Sequence, residues 1–174
     1  MARTRFEVRL EPEPKPLSTG MDRVEFMISP NPGEPLRPLA NIASGGEISR
    51  VMLALKAISM DGNGVDSMVF DEIDTGVSGR MAQVVGEKMC LIAKTKQVLC
   101  ITHLPQIASM ADVHLYIAKH AQEGHTVTEV IRLTEAQEVN EIARMASGSD
   151  VSAASLDNAR EMLSHARSRK QHLR

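Results

Sequence analysis

Asp71 and Glu72 stand side by side at the end of the apolar run Met68-Val69-Phe70, with Ser44-Gly45-Gly46-Glu47 upstream and Thr102-His103 downstream. A buried strand that delivers two carboxylates to its exposed end suits phosphoryl transfer: one acid can hold Mg²⁺ through its water shell while the next polarises the attacking water. Ser44 with two glycines at a helix start offers what a phosphate needs, namely a hydroxyl donor, free backbone N–H groups and close backbone approach. The same tetrapeptide fits a capping box in which Ser44 accepts from the third helical position and Glu47 reaches back. A cap gains nothing from Gly-Gly, which favours the phosphate use. For Asp71 and Glu72 the plainer reading is an acid pair in a turn, and for His103 a satisfied polar residue at a strand end. Their joint occurrence beside a glycine-flanked helix terminus is harder to ascribe to turn chemistry. Asp74 suits either a cap on the next helix or an ordered turn that communicates across a subunit interface. No G-x-x-x-x-G-K-[ST] occurs in the 174 residues, so the loop that would cradle β- and γ-phosphates is absent from this sequence. A metal-dependent nuclease using Asp71, Glu72 and Asp74 would need two ions roughly 4 Å apart, with further acids at a neighbouring strand end that the pattern does not offer.

The elements that must carry these residues are legible as periodicities. Phe6, Val8 and Leu10, then Val24, Phe26 and Ile28, alternate with polar residues and predict an antiparallel strand pair joined by the Pro-rich segment 11–20. Pro30-Asn31-Pro32-Gly33 opens a loop that runs to Ser44. Ile48, Val51, Met52, Leu55 and Ile58 predict one apolar stripe on a helix ended by Asp61-Gly62-Asn63-Gly64. Residues 67–70 form the strand that bears Asp71-Glu72. A second helix over 78–94 turns Met81, Val85, Met89 and Ile92 inward, and 97–101 is the next strand. Strand, helix and strand make a right-handed crossover that brings Asp71-Glu72 and His103 to one edge of a parallel sheet, where α/β ligands bind. Beyond lie a short helix over 105–110 and a hairpin of 114–119 with 127–133 around Gln122-Glu123-Gly124. A helix capped by Thr134 and ended by Gly148 follows, then a last helix carrying Leu156, Ala159 and Leu163.

A hydrophobic share of 43% and a charged share of 24% are those of a globular domain, and the length is that of one domain, residues 1–174. Within it, 1–40 hold the strand pair and loop, and 41–174 the remainder. No apolar run approaches the roughly 20 residues of a membrane span, and the start resembles a strand more than a signal peptide. Cys90 and Cys100 lie in apolar segments without zinc or disulfide spacing, as expected of buried thiols in a reducing compartment. A net charge of −2 argues against a dedicated nucleic-acid module, and the basic tail 167–174 suits a solvated helix end.

These motifs resemble a family. Ala43-Ser44-Gly45-Gly46-Glu47 looks like the signature motif of ABC-type ATPase heads, Met68-Val69-Phe70-Asp71-Glu72 like Walker B, Asp74-Thr75-Gly76 like the D-loop and His103 like the switch histidine. The runs Asp71–Gly79 and Ile101–Ala108 are more specific and resemble the RecN family of bacterial SMC-like DNA-repair ATPases, with the likeness extending from about Val24 to about Ser164. The resemblance implies an α/β fold: the carboxyl-terminal lobe of an ABC/SMC-type P-loop ATPase head, a parallel sheet flanked by helices with antiparallel edge strands, the Walker A lobe missing. It implies ATP and Mg²⁺ as cofactors and head pairing in which Ser44, Gly45, Gly46 and Glu47 meet the nucleotide of a second head. Asp71 would order the metal through water, Glu72 would act on the attacking water, His103 would sense the γ-phosphate and Asp74 would serve the D-loop. Implied partners are the amino-terminal Walker A lobe and coiled coil of the same protein, a second head as homodimer, and DNA at double-strand breaks. A membrane partner is not expected, and the implied location is the cytoplasm, on the nucleoid. The competing reading is a non-enzymatic interaction module that docks on a partner lobe or subunit.

Overall fold

A computed structural model of the chain describes residues 4–30, 33–41, 45–58, 65–122 and 125–173. They group into two compact units, Met1–Ile48 and Ser49–Arg174.

In the first unit β1 (Arg5–Leu17), β2 (Gly20–Ser29) and β3 (Arg37–Pro38) pair antiparallel in that order. The alternation predicted the pairing, with Phe6 opposite Ile28, Val8 opposite Phe26 and Leu10 opposite Val24. It misplaced the connection, however. The Pro-rich segment belongs mostly to β1, and the reversal occurs between paired Leu17 and Gly20, with a register irregularity between Pro12 and Leu17. Pro12, Pro14 and Pro16 sit at alternate positions and so share one edge of the strand, where a missing N–H can be spared. Phe6 and Phe26 stack with ring centroids 5.8 Å apart on a half-exposed apolar face, while Met27, Ile28 and Ser29 are buried.

Helix α1 (Gly45–Ile58) leads out of this unit into the second. There, β4 (Ser67–Phe70) and β5 (Gln97–Cys100) pair in parallel, in register from Ser67–Gln97 to Phe70–Cys100, with α2 (Gly79–Ile92) between them in sequence. Their inner face joins Leu53, Ile73, Ala82, Val85, Met89, Ile92 and Ile107 in the main core. Gly86 lets α2 approach its neighbour closely, since a Cβ there would stand 3.0 Å from Met110 Cγ. The chain continues through α3 (Pro105–Ala108) and the antiparallel pair β6 (Leu115–Gln122) and β7 (His125–Arg132). It ends with α4 (Glu135–Ser147) and α5 (Ala153–Leu173). A second core of Ile142, Ala143, Ala159 and Leu163 joins the last two helices. Gln137 Oε1 accepts the Thr134 N–H at 2.8 Å, half of the cap expected at α4.

Two apolar faces differ from expectation. On α1 Val51 is buried, but Leu53 enters the core and Ile48, Met52 and Ile58 are exposed. Ser49, Arg50, Leu53 and Ala57 lie one helical face apart from the predicted stripe, and hydrogen bonds made by Ser49 and Arg50 turn that face inward. On α2 Ala82, not Met81, takes the buried position. The basic tail is also more engaged than a solvated helix end. Arg167 reaches Glu135 on α4 at 2.7 Å, Arg169 pairs with Glu87 on α2, and Lys170 donates to the Ala111 carbonyl at 2.8 Å. Asp61-Gly62-Asn63-Gly64 and Glu123-Gly124 lie outside the described residues.

Candidate nucleotide-hydrolysis site

Beta-strand β4 ends at buried Phe70, and the next residues leave the sheet as a turn, so Asp71 and Glu72 are exposed at its carboxyl end. Asp71 Oδ1 accepts the Glu72 N–H at 2.9 Å. Glu72 has φ 55°, a left-handed backbone that a non-glycine residue adopts at a cost and only when its surroundings over-determine it.

The surroundings do so through the carbonyls. Ser49 Oγ donates to the Asp71 carbonyl at 3.1 Å, Thr75 N–H to that of Glu72 at 3.1 Å, and Val77 N–H to that of Asp74 at 3.0 Å. Arg50 Nη1 donates to the two that remain, Ile73 at 3.2 Å and Thr75 at 2.7 Å. Each acceptor from Asp71 to Thr75 is therefore satisfied, as a partly buried turn requires.

Asp74 is buried, and its carboxylate faces the end of β5. One oxygen, Oδ2, accepts from Thr102 Oγ1 at 2.6 Å and His103 N–H at 2.8 Å, and lies 3.0 Å from His103 Nδ1. Burial pushes this carboxyl up, but the Thr102 and His103 hydrogen bonds and the His103 ring outweigh it and hold it below its ordinary value. The His103 ring meets the ionised Asp74 as a charge neighbour, with Nδ1 at ion-pair distance, while the hydrogen bonds to Asp74 come from Thr102 and the His103 main chain. The ring itself is 74% exposed. Of the two uses the sequence left open for Asp74, capping α2 is not the one adopted, since the residue at that helix start is Ser78.

A carboxyl held below its ordinary 3.8 contributes stability that is complete above that pH and is lost as pH falls through the lower folded value. Asp74→Asn should therefore be less stable than wild type at pH 7, with the difference narrowing in acid below about pH 4. Denaturant midpoints from pH 7 to pH 2 measure this, and a constant difference across the range contradicts it.

Cys100, on β5 beside the acids, is no nucleophile. Burial, then the charges of Asp74 and Asp71, push its thiol up to about 12. For a metal, no group of three or more His, Cys, Asp or Glu side chains is gathered among the described residues. Mg²⁺ binds through one or two carboxylates with water and substrate phosphates completing its shell, and the exposed carboxylate of Asp71 is chemically suited to that share.

The structure thus brings Asp71, Glu72, Asp74 and His103 to neighbouring strand ends. Gly45, Gly46 and Glu47 form the first turn of α1 in the other unit, and Ser44 lies outside the described residues. The sequence pattern had not singled out Ser49 and Arg50. Their signal was present as two polar residues between Ile48 and Val51, but such positions usually face solvent.

No family model matches the chain. It is 52% identical over 167 residues to the DNA repair protein RecN of Halalkalibacterium halodurans, covering 94% of this chain and 30% of that protein. It is 52% identical over 147 residues to RecN of Bacillus subtilis, covering 84% of this chain and 26% of that protein. The chain thus spans under a third of the length of these relatives and matches their carboxyl-terminal part. Among solved structures, an Smc head bound to the C-winged helix domain of ScpA shares the fold, with TM-score 0.51 and 22% identity, over 76% of this chain and 39% of that one. Its architecture is that of the carboxyl-terminal lobe of an SMC-type ATPase head, and by its sequence the chain belongs to the RecN family.

Proposed function

We propose that this chain supplies the signature motif, the Walker B acids and the switch histidine of an ATPase head acting in DNA double-strand break repair and recombination. The observation that carries the reading is the acid turn. Asp71 and Glu72 are exposed at the end of β4, with the Glu72 backbone constrained at φ 55° and the His103 main chain at the end of β5 tied to Asp74. A loop that merely closed a strand would have no need of that constraint.

In this mechanism Asp71 would hold Mg²⁺ through its water shell, and the ion, when bound, would supply charge neutralisation at the phosphates. Glu72 orients the attacking water and takes its proton. His103 presents its exposed ring to a γ-phosphate oxygen, with Asp74 3.0 Å from Nδ1. Ser44, Gly45 and Gly46 contact the γ-phosphate held by a second head, with Glu47 in the same turn, and Asp74 serves the D-loop by tying it to His103. Hydrolysis then reopens the paired heads, and head closure is coupled to holding DNA. The chain acts in the cytoplasm on the nucleoid; among its described residues no helix is long and apolar enough to cross a membrane.

The required partner is the amino-terminal Walker A lobe with its coiled coil, and the parallel sheet supports it. Parallel strands are ordinarily covered on both faces. Here the outer face carries Val69 at 68%, Leu99 at 42% and Ile101 at 52% exposure. An apolar lobe that covers this face would complete the sheet's second layer.

The test is turnover by the chain alone and with that lobe. The 174 residues by themselves should hydrolyse ATP negligibly, because nothing in the sequence fixes the β- and γ-phosphates. Adding a Walker A lobe of a RecN relative should bring turnover that depends on Glu72. Robust Mg²⁺-dependent hydrolysis by the isolated chain, abolished by Glu72→Gln, would sink the proposal.

A further inference from the structure

We propose that Arg50 is the positioning residue of the catalytic turn: from α1 it fixes the backbone that aims Glu72 and Asp74, without neutralising either acid. The inference rests on the hydrolytic reading above and adds a residue to it.

The geometry is specific. A single nitrogen, Nη1, donates to the carbonyls of Ile73 and Thr75, which flank Asp74. Ser49, its neighbour on the helix, holds the carbonyl of Asp71. Two consecutive residues of α1 therefore grip alternate carbonyls of the segment 71–75, and the other two carbonyls accept from the amides of Thr75 and Val77. An arginine bonded to a turn that carries three acids has carboxylates as its alternative, charge-assisted partners. Among the described residues Arg50 makes no ion pair with Asp71, Glu72 or Asp74, whose carboxylates stay available for metal, water and His103. The cation is spent on the main chain, where it resists the relaxation of a left-handed Glu72 to an ordinary conformation.

The consequence is a kcat effect with little change in nucleotide affinity, since misplacing a catalytic group by about 1 Å costs on the order of 10²-fold in rate. In a full head assembled from this chain and a Walker A lobe, Arg50→Ala should lower kcat at least about tenfold and leave KM for ATP within about threefold. Arg50→Lys should restore most of the rate, because one donor nitrogen makes both bonds. In a Glu72→Gln background Arg50→Ala should cost little more, as both act through the same carboxylate. On the chain alone, hydrogen exchange at the Thr75 and Val77 amides should accelerate in Arg50→Ala and recover in Arg50→Lys. Unchanged kcat, a loss that Lys does not repair, or a full additional loss in the Glu72→Gln background overturns the proposal. If Glu72→Gln itself leaves hydrolysis intact, the hydrolytic reading fails, and the exchange measurement still decides whether Arg50 holds the turn.

Discussion

In a full head, Glu72→Gln is expected to lower ATP turnover by roughly 10²–10⁴-fold, the usual worth of a positioned general base, while nucleotide-driven head pairing survives. The substitution keeps the size of the side chain and removes only its ability to take a proton. Asp71 stays in place for the metal, its Oδ1 still receiving the Glu72 N–H. Asp71→Asn should behave differently, weakening Mg²⁺-dependent nucleotide binding. Turnover, nucleotide affinity and head pairing measured side by side separate the two. Near wild-type turnover in Glu72→Gln, or one binding defect common to both variants, removes the assignment.

The second large effect concerns Ser44, whose sequence context admits both a cap and a phosphate contact, the two glycines favouring the contact. Ser44→Arg in a full head should leave ATP binding through the head's own Walker A intact and abolish pairing and hydrolysis, because an Arg side chain intrudes on any phosphate seated over Gly45 and Gly46. Loss of a cap costs on the order of 1 kcal/mol, a penalty that a domain of 5–15 kcal/mol stability (roughly 0.05–0.15 kcal/mol per residue) usually survives. Melting curves of the chain and turnover of the head give the answer. A lowered melting temperature with normal turnover by the folded fraction would make Ser44 a cap and withdraw the signature role.

Both predictions begin in short sequence motifs, and the strands behind them were equally plain. Ser67–Phe70 and Gln97–Cys100 fall where the apolar runs place them, and their parallel pairing follows from the helix between them. Such runs are legible as strands because short apolar segments bounded by turn residues favour extended backbone, but the burial expected of the strand before Asp71 is only partial, with Val69 exposed and Phe70 buried. The hairpin β6–β7 and the helix begun by Thr134 were legible for the same local reason. The connection between β1 and β2 was not. Proline is a strong local breaker, yet at alternate positions on one strand edge its missing donor is tolerated, a fact about neighbours that no window along the chain contains.

The sequence by itself determined the α/β order of elements and the family, and it nominated Asp71, Glu72, Asp74 and His103 as candidates for the chemistry, since these depend on residue type and spacing. Tertiary structure alone decided how they are held. It turned Asp74 away from α2 toward Thr102 and His103, gave Glu72 its left-handed backbone, and rotated α1 so that Ser49 and Arg50 grip the turn while Met52 stays exposed. The physical reason is the same in each case. A side chain's type announces that it must find a partner when buried, but the partner's backbone carbonyl or amide comes from residues 22 to 29 positions away and carries no mark in the sequence.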